Sequence, residues 1–330
     1  GHSFPTRRSS DLMLQNLIHG IHHVTAGVAG AQEDVDFFTS IVGQRLAKQT
    51  VLMDGPLPIY HLYYTNADAE IGSAMTTFPY GKAGIKARRG SGQVKTTSYT
   101  VPTGSLPFWV NHFNENNIEH GEIEERFGLN RLTFEHPCGL EFEFIEDDAD
   151  TRKGYVTDKV SINEAVKGFH SVTMSVREVE EQDRFIREVL GYEFTGREGQ
   201  YYQYELNGGG ANKTLYVIHE PDLPQGSWGL GAGTIHHVAF AVDTDKELNE
   251  VRELVTGLGY TDMSEIKDRY YFHSAYVRSP GGILCEFTTS DIGFTIDEPF
   301  EELGQTLHLP PWKLDEIGRA SCRERVSTSV

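Results

Sequence analysis

The chain has 330 residues, 38% of them hydrophobic and 11% aromatic, enough to fill the cores of about two domains. No run approaches the roughly 20 consecutive apolar residues of a membrane-spanning helix, and a formal net charge of −19 repels a phosphate backbone and an anionic lipid surface alike, so neither membrane nor nucleic acid is an expected partner. Cys138, Cys285 and Cys322 include no close-spaced pair, which leaves no disulfide framework or thiolate zinc motif and suits a reducing cytoplasm.

The two ends stand apart from the rest. Residues 1–12 have no secretory apolar region and residues 317–330 have no apolar period. Back-translated, SFPTRRSSDL and IGRASCRERV look like the two strands of a sequencing adapter read in frame, so both ends are expected to be non-native, with Met13 to Asp315 as the natural product. Inside those limits the chain repeats. Gly20-Ile-His-His-Val-Thr25 opens a strand, and a helix ends at Phe37-Phe-Thr-Ser-Ile-Val-Gly43. A second, weaker copy runs from Thr97-Ser-Tyr-Thr-Val101 through Phe108, Trp109 and Phe113 to a stop at Asn116-Asn117, then to Pro137-Cys-Gly-Leu-Glu-Phe-Glu143. The third begins at Gly168-Phe-His-Ser-Val-Thr173 and reaches Phe185-Ile-Arg-Glu-Val-Leu-Gly191, 148 positions after the first copy at both its strand and its helix end. The fourth opens at Thr234-Ile-His-His-Val-Ala-Phe240, carries a helix through Val251 and Leu254 to Leu258-Gly259-Tyr260, and closes on Arg278-Ser-Pro-Gly-Gly-Ile-Leu-Cys-Glu286-Phe.

Each copy reads as strand, helix and three strands, with Gly43, Gly191 and Gly259 where a left-handed helix cap is wanted. The fold class is therefore α+β, four βαβββ modules. Residues 13–155 form an N-terminal domain of two modules, 161–290 a C-terminal domain of two more, and 291–315 a tail in which Thr306-Leu-His-Leu-Pro-Pro-Trp312 is apolar enough to dock. Strict alternation gives the opening strands one small or polar face, with Ile21, His23 and Thr25, Phe169, Ser171 and Thr173, and Ile235 and His237. The opposite face, with Val24, Ala26, Val172, Met174, Val238 and Phe240, is apolar and turned to the helices.

His23 and His237 thus share one slot, filled by Ser171 in the third copy, and Glu286 on the last strand is a third candidate. Two neutral imidazoles and a carboxylate leave about three adjacent positions open on an octahedral ion, a donor set suited to non-haem iron(II). Alternation places His22 and His236 on the apolar face, where a core histidine competes with any functional role. Arg269 could equally be a surface cation paired with Asp268, and Tyr276 ordinary strand packing. His61, His136, His170 and His273 belong to no constellation.

The repeated modules, the two Ile-His-His-Val strands and the Pro-Gly-Gly-x-x-x-Glu ending resemble the vicinal oxygen chelate superfamily, in particular its ring-cleaving extradiol dioxygenases and most of all the (chloro)hydroquinone 1,2-dioxygenase branch. In that branch the first metal ligand comes from the first module, whereas ordinary catechol enzymes take all three from the C-terminal half, and Ser171 argues for the former. The resemblance implies iron(II) on His23, His237 and Glu286, and roles beside them for His22, Thr25, His236, Arg269 and Tyr276. It implies a small aromatic substrate and O2 as partners, with self-association left open. Modules one and four should then pair into one incomplete-barrel cup and two and three into another, with Glu143, the counterpart of Glu286, holding no metal. The alternatives are a catechol dioxygenase, a metal-dependent glyoxalase or epimerase, and a non-enzymatic small-molecule binder. A glyoxalase would want a fourth ligand near Met75 to Thr77, where no carboxylate stands.

Overall fold

The computed structural model describes residues 17–53, 59–81 and 84–317. The ends expected to be non-native lie outside the described residues apart from Ile317. Module one comprises β1 (Ile21–Val28), α1 (Ala31–Asp36, continued by a π turn over Phe37–Ile41), β2 (Arg45–Val51), β3 (Tyr60–Thr65) and β4 (Ala74–Pro79). Module two comprises β5 (Gln93–Val101), α2 (Leu106–Glu115), β6 (Glu124–Arg126), β7 (Leu129–Glu135) and β8 (Glu141–Glu146). Module three has β9 (Gly168–Val176), α3 (Glu180–Glu188), β10 (Glu193–Glu198), β11 (Tyr201–Glu205) and β12 (Thr214–His219). Module four has β13 (Thr234–Val242), α4 (Asp245–Gly257), β14 (Lys267–Asp268), β15 (His273–Arg278) and β16 (Leu284–Thr289), and α5 (Pro311–Ile317) closes the described chain.

The strands form two curled eight-stranded sheets, ordered β14-β15-β16-β13-β1-β4-β3-β2 and β10-β11-β12-β9-β5-β8-β7-β6. Modules one and four therefore share one cup and modules two and three the other, each cup built around an antiparallel pair of opening strands, β1 with β13 and β5 with β9. The helix of each module covers its sheet with one apolar stripe. In α4, Thr244 caps the N-terminus by accepting from the Glu247 amide, and Leu248, Val251 and Val255 are buried at helical spacing. Gly43, Gly191 and Gly259 follow the helix ends at φ of 75°, 76° and 102°, a conformation that costs glycine little.

The opening strands do not alternate as expected. Along β1 and β13 the register passes from Ile21↔Phe240 to His23↔Ala239 and from Thr25↔His237 to Ala26↔Ile235, so His22 and His236 are the extra residues of β-bulges. The β5–β9 ladder has the same irregularities, with His170 and Lys95 as the extra residues. A bulge interrupts the period of two. Ile21, Phe169 and Ile235 accordingly join the hydrophobic core instead of the polar face to which strict alternation assigned them.

The tail packs along the edge of the first cup. Leu307 bridges to Gln49, and the His308 amide donates to the Gln49 carbonyl at 2.9 Å. Lys48, fully buried, holds Asp297 at 2.6 Å and Glu298 at 2.8 Å. The expected docking of 306–312 occurs, though Trp312 itself stays 44% exposed, edge-on to Tyr270.

Candidate active site and metal centre

The centre of the first cup brings together His23 of β1, His237 of β13 and Glu286 of β16, three side chains separated by up to 263 positions in the sequence. His237 Nε2 lies 2.7 Å and His23 Nε2 3.3 Å from Glu286 Oε2, and the two Nε2 atoms are 3.4 Å apart. All three residues are buried. Neither oxygen of Glu286 accepts a well-formed hydrogen bond, which is costly for a buried carboxylate unless a cation completes the site. Burial alone would push its carboxyl up, but His237 and then His23 hold it well below the usual carboxylate range.

The bulges explain why the imidazole nitrogens face the carboxylate. They put consecutive histidines on one side of the strand, so that His22 Nδ1 meets His23 Nδ1 at 2.9 Å and His236 Nδ1 meets His237 Nδ1 at 2.8 Å. Burial, reinforced by the neighbouring imidazole, depresses both His22 and His236 to about 3, so each is neutral and each nitrogen pair shares one proton. With Nδ1 of His23 and His237 occupied in this way, their Nε2 atoms converge on the Glu286 carboxylate. Two imidazoles and a carboxylate converging in this way are the donor set for a metal ion, and His23, His237 and Glu286 form one of the groups among the described residues whose ligand atoms lie close enough to hold one.

Around this group is a cavity of about 230 Å3. Tyr276 is the β15 partner of Glu286, and its ring stands 5.8 Å from that of His237. Arg269 Nε donates to the Tyr276 hydroxyl at 3.2 Å, and Arg269 belongs to the cavity wall. Burial, followed by the Glu286 charge, raises the Tyr276 hydroxyl and keeps it protonated. Thr25 lies opposite His237 in the ladder, and its hydroxyl is 2.8 Å from that of Thr76. Thr76, beside Thr25 on β4, occupies the place in module one that Glu286 occupies in module four. A hydroxyl therefore stands where a fourth carboxylate ligand would be. His236 lines the cavity, and His22 packs its ring 5.5 Å from Phe272, a cavity residue.

Sequence reasoning left His61 unassigned, yet it lines the same cavity, between Thr76 at 2.9 Å and the Tyr63 hydroxyl at 3.0 Å. Alternation in His61-Leu-Tyr63-Tyr-Thr65 does put His61 and Tyr63 on one face. What it lacks is the fact that β3 joins the same sheet as β1.

The second cup repeats the frame with different chemistry. Ser171 and Thr96 take the histidine slots, and Glu143 takes that of Glu286. Glu143 accepts from Ser98 at 2.8 Å, Arg126 at 2.9 Å and Arg131 at 3.1 Å. Two guanidinium groups thus neutralise it, and no metal-holding group among the described residues includes it. His136 instead faces Asp34 at 3.3 Å, His170 lies 3.0 Å from the Ser171 hydroxyl, and His273 pairs with Asp245 at 2.6 Å.

Residues 168–287 match the model of the Glyoxalase/Bleomycin resistance protein/Dioxygenase superfamily. Over 91% of this chain and 94% of the relative, the sequence is 42% identical to the chlorohydroquinone/hydroquinone 1,2-dioxygenase of Sphingobium indicum. The chain belongs to the ring-cleaving dioxygenases of that superfamily. A Bacillus subtilis protein described as a "putative dioxygenase" superposes on 94% of this chain and 99% of its own, with a TM-score of 0.86 and 32% identity. Glyoxalase I of Zea mays, 14% identical with a TM-score of 0.60 over 82% of this chain and 92% of its own, shares the fold. Among the described residues, no helix is long and apolar enough to cross a membrane.

Proposed function

We propose that this chain is an iron(II)-dependent dioxygenase that opens a hydroquinone-type ring beside one of its hydroxyls with O2. The observation that carries the reading is the His23–His237–Glu286 group, assembled from modules one and four, with Thr76 in place of a fourth acidic ligand. Three protein ligands leave adjacent positions for exogenous molecules, as ring cleavage needs, while a four-ligand glyoxalase site does not fit these residues. The name of the Sphingobium relative supports a para-dihydroxylated ring as the substrate class.

Iron(II) held by these three residues would supply a site where a ring oxygen and dioxygen lie side by side and exchange electron density. The chain's own groups do the rest. His22 and His236, neutral, fix the proton on Nδ1 of each ligating imidazole and so orient it. Arg269 and Tyr276, adjacent to Glu286, stabilise the ionised ring hydroxyl; a charge-assisted contact of this kind contributes about 1.5–3 kcal/mol. Tyr276, which keeps its proton, is the group that would donate one to oxygen, while neutral His236 serves by accepting from His237, and Thr25 orients the small ligands from the β1 side.

Anaerobic loading with iron(II), followed by oxygen uptake with 2-chlorohydroquinone, 2-methylhydroquinone and catechol, tests the reading. Consumption of one O2 per hydroquinone is expected. Efficient cleavage of catechol with no hydroquinone turnover would replace it with a catechol dioxygenase.

A further inference from the structure

The polar groups of the cavity come from two separate parts of the strand order, β15 with the loop before it and β3. Tyr276 on β15 is paired with Glu286 and holds Arg269 of the preceding loop, the two groups to which the reading above gives the ring oxygen nearest the metal group. β3, two strands from β1 in the sheet, carries His61 and Tyr63. Four side chains there form an unbroken hydrogen-bonded chain: Tyr63 to His61 Nδ1 at 3.0 Å, His61 Nε2 to Thr76 at 2.9 Å, and Thr76 to Thr25 at 2.8 Å. The chain is rigidly backed, since His61 stacks on Phe78 at 4.0 Å and Tyr63 stands edge-on to Phe294 at 5.1 Å.

Counting protons shows which atom is available. Burial keeps the Tyr63 phenol protonated, with its pKa raised well above the ordinary value, and keeps His61 neutral, with its pKa lowered well below. Each link then carries one proton. If Tyr63 donates to Nδ1, then Nε2 donates to Thr76 and Thr76 to Thr25, which leaves the Tyr63 oxygen as a free acceptor. Reversing every proton makes the same atom a donor. A ring hydroxyl, able both to donate and to accept, is matched in either sense.

We propose that Tyr63 and His61 form the remote polar anchor of the pocket, receiving the ring hydroxyl farthest from the His23–His237–Glu286 group and selecting rings whose hydroxyls are para over rings whose hydroxyls are adjacent. The inference rests on the ring-cleaving reading above and names its substrate determinant. A catechol, with both oxygens at the metal group, leaves the anchor unengaged, whereas a site built to hydrogen-bond a hydroxyl discriminates against ligands that lack it.

The test is a cycle of anaerobic binding constants for hydroquinone and phenol on the iron-loaded protein, its Tyr63→Phe variant and its His61→Gln variant. Wild-type protein should bind hydroquinone about tenfold more tightly than phenol, the effect of one neutral hydrogen bond, and Tyr63→Phe should erase that preference. His61→Gln should reduce it, and should reduce the ratio of hydroquinone to catechol kcat/KM through KM. A preference that survives in both variants, or equal losses for hydroquinone and phenol, overturns the anchor. Selective, Tyr63-dependent binding without ring cleavage would instead overturn the ring-cleaving reading and leave the anchor standing.

Discussion

Glu143 and Glu286 stand at matching places in two matching cups, which makes Glu143→Ala the sharpest probe of what the repeat has become. Each carboxylate is buried, on β8 beside β5 and on β16 beside β13. Glu143 is neutralised from within by Arg126 and Arg131, and the Arg131 side chain is wholly buried. Removing Glu143 leaves that guanidinium without its counter-ion in a region water does not reach. Breaking a buried pair in this way costs about 3–5 kcal/mol, a fall in melting temperature of the order of 10 °C. Iron content should be unchanged. Glu286→Ala should behave in the opposite way, abolishing iron binding while costing the metal-free protein far less, because its partners are imidazoles that need carry no charge. Replacing both members of the structural pair, Glu143→Leu with Arg131→Met, should recover much of the lost stability, since apolar side chains of similar volume often substitute for a buried pair without loss. Unfolding by heat and by urea, with metal analysis of the same preparations, reads all four proteins. Loss of iron in Glu143→Ala without loss of stability would refute the assignment of the two cups.

Three further outcomes follow from the same geometry. His23→Ala and His237→Ala should each lose iron, with their circular dichroism spectra retained, and either variant binding iron stoichiometrically would remove that residue from the ligand set. Arg269→Ala should keep its iron and lose about ten- to a hundredfold in kcat/KM for hydroquinones, since about 1.4 kcal/mol is a factor of ten; unchanged kinetics would place the guanidinium off the reacting ring. Burial alone would lower the His136 imidazole, but Asp34 and Cys138 outweigh it and hold the group up at about 9, above its ordinary 6.5. A pKa raised on folding stabilises fully below pH 6.5 and ceases to do so as pH climbs through 9, an effect of the order of 3 kcal/mol. The urea midpoint should therefore decline over that window and the decline should vanish in His136→Gln; an identical slope in both proteins would exclude His136 as its source.

Much of this arrangement is legible in the sequence because the modules repeat. Equal spacing between copies identifies four βαβββ units, and the shared slot of His23 and His237 brings them together although 214 positions separate them. The environments of His22 and His236 were not legible, because a period of two was carried through strands that contain a bulge. A trace of the bulge exists in the sequence: His22, His170 and His236 each put a polar ring where an apolar face was expected, at one slot in three modules. His61 was missed for a different reason. Its strand is two neighbours removed from β1, and only the sheet order shows that both line one cavity.

The bulge also accounts for how one scaffold supports both cups. An extra residue near the start of each opening strand breaks the alternation, so each slot offers a pair of consecutive groups instead of one. In the first cup the pairs are His22 with His23 and His236 with His237, each joined through Nδ1, and on the proposed reading the outer imidazole fixes the inner proton so that Nε2 is free for a cation. In the second cup the corresponding positions hold His170 with Ser171 and Lys95 with Thr96. A hydroxyl in place of the inner imidazole removes the metal-binding nitrogen, and the carboxylate that remains must find its positive charge elsewhere. Arg126 and Arg131 provide it from the neighbouring strand β7 and the end of β6. The buried carboxylate thus meets a cation of the chain in the second cup, and in the first, on the proposed reading, the residue after the bulge leaves that place to a bound metal.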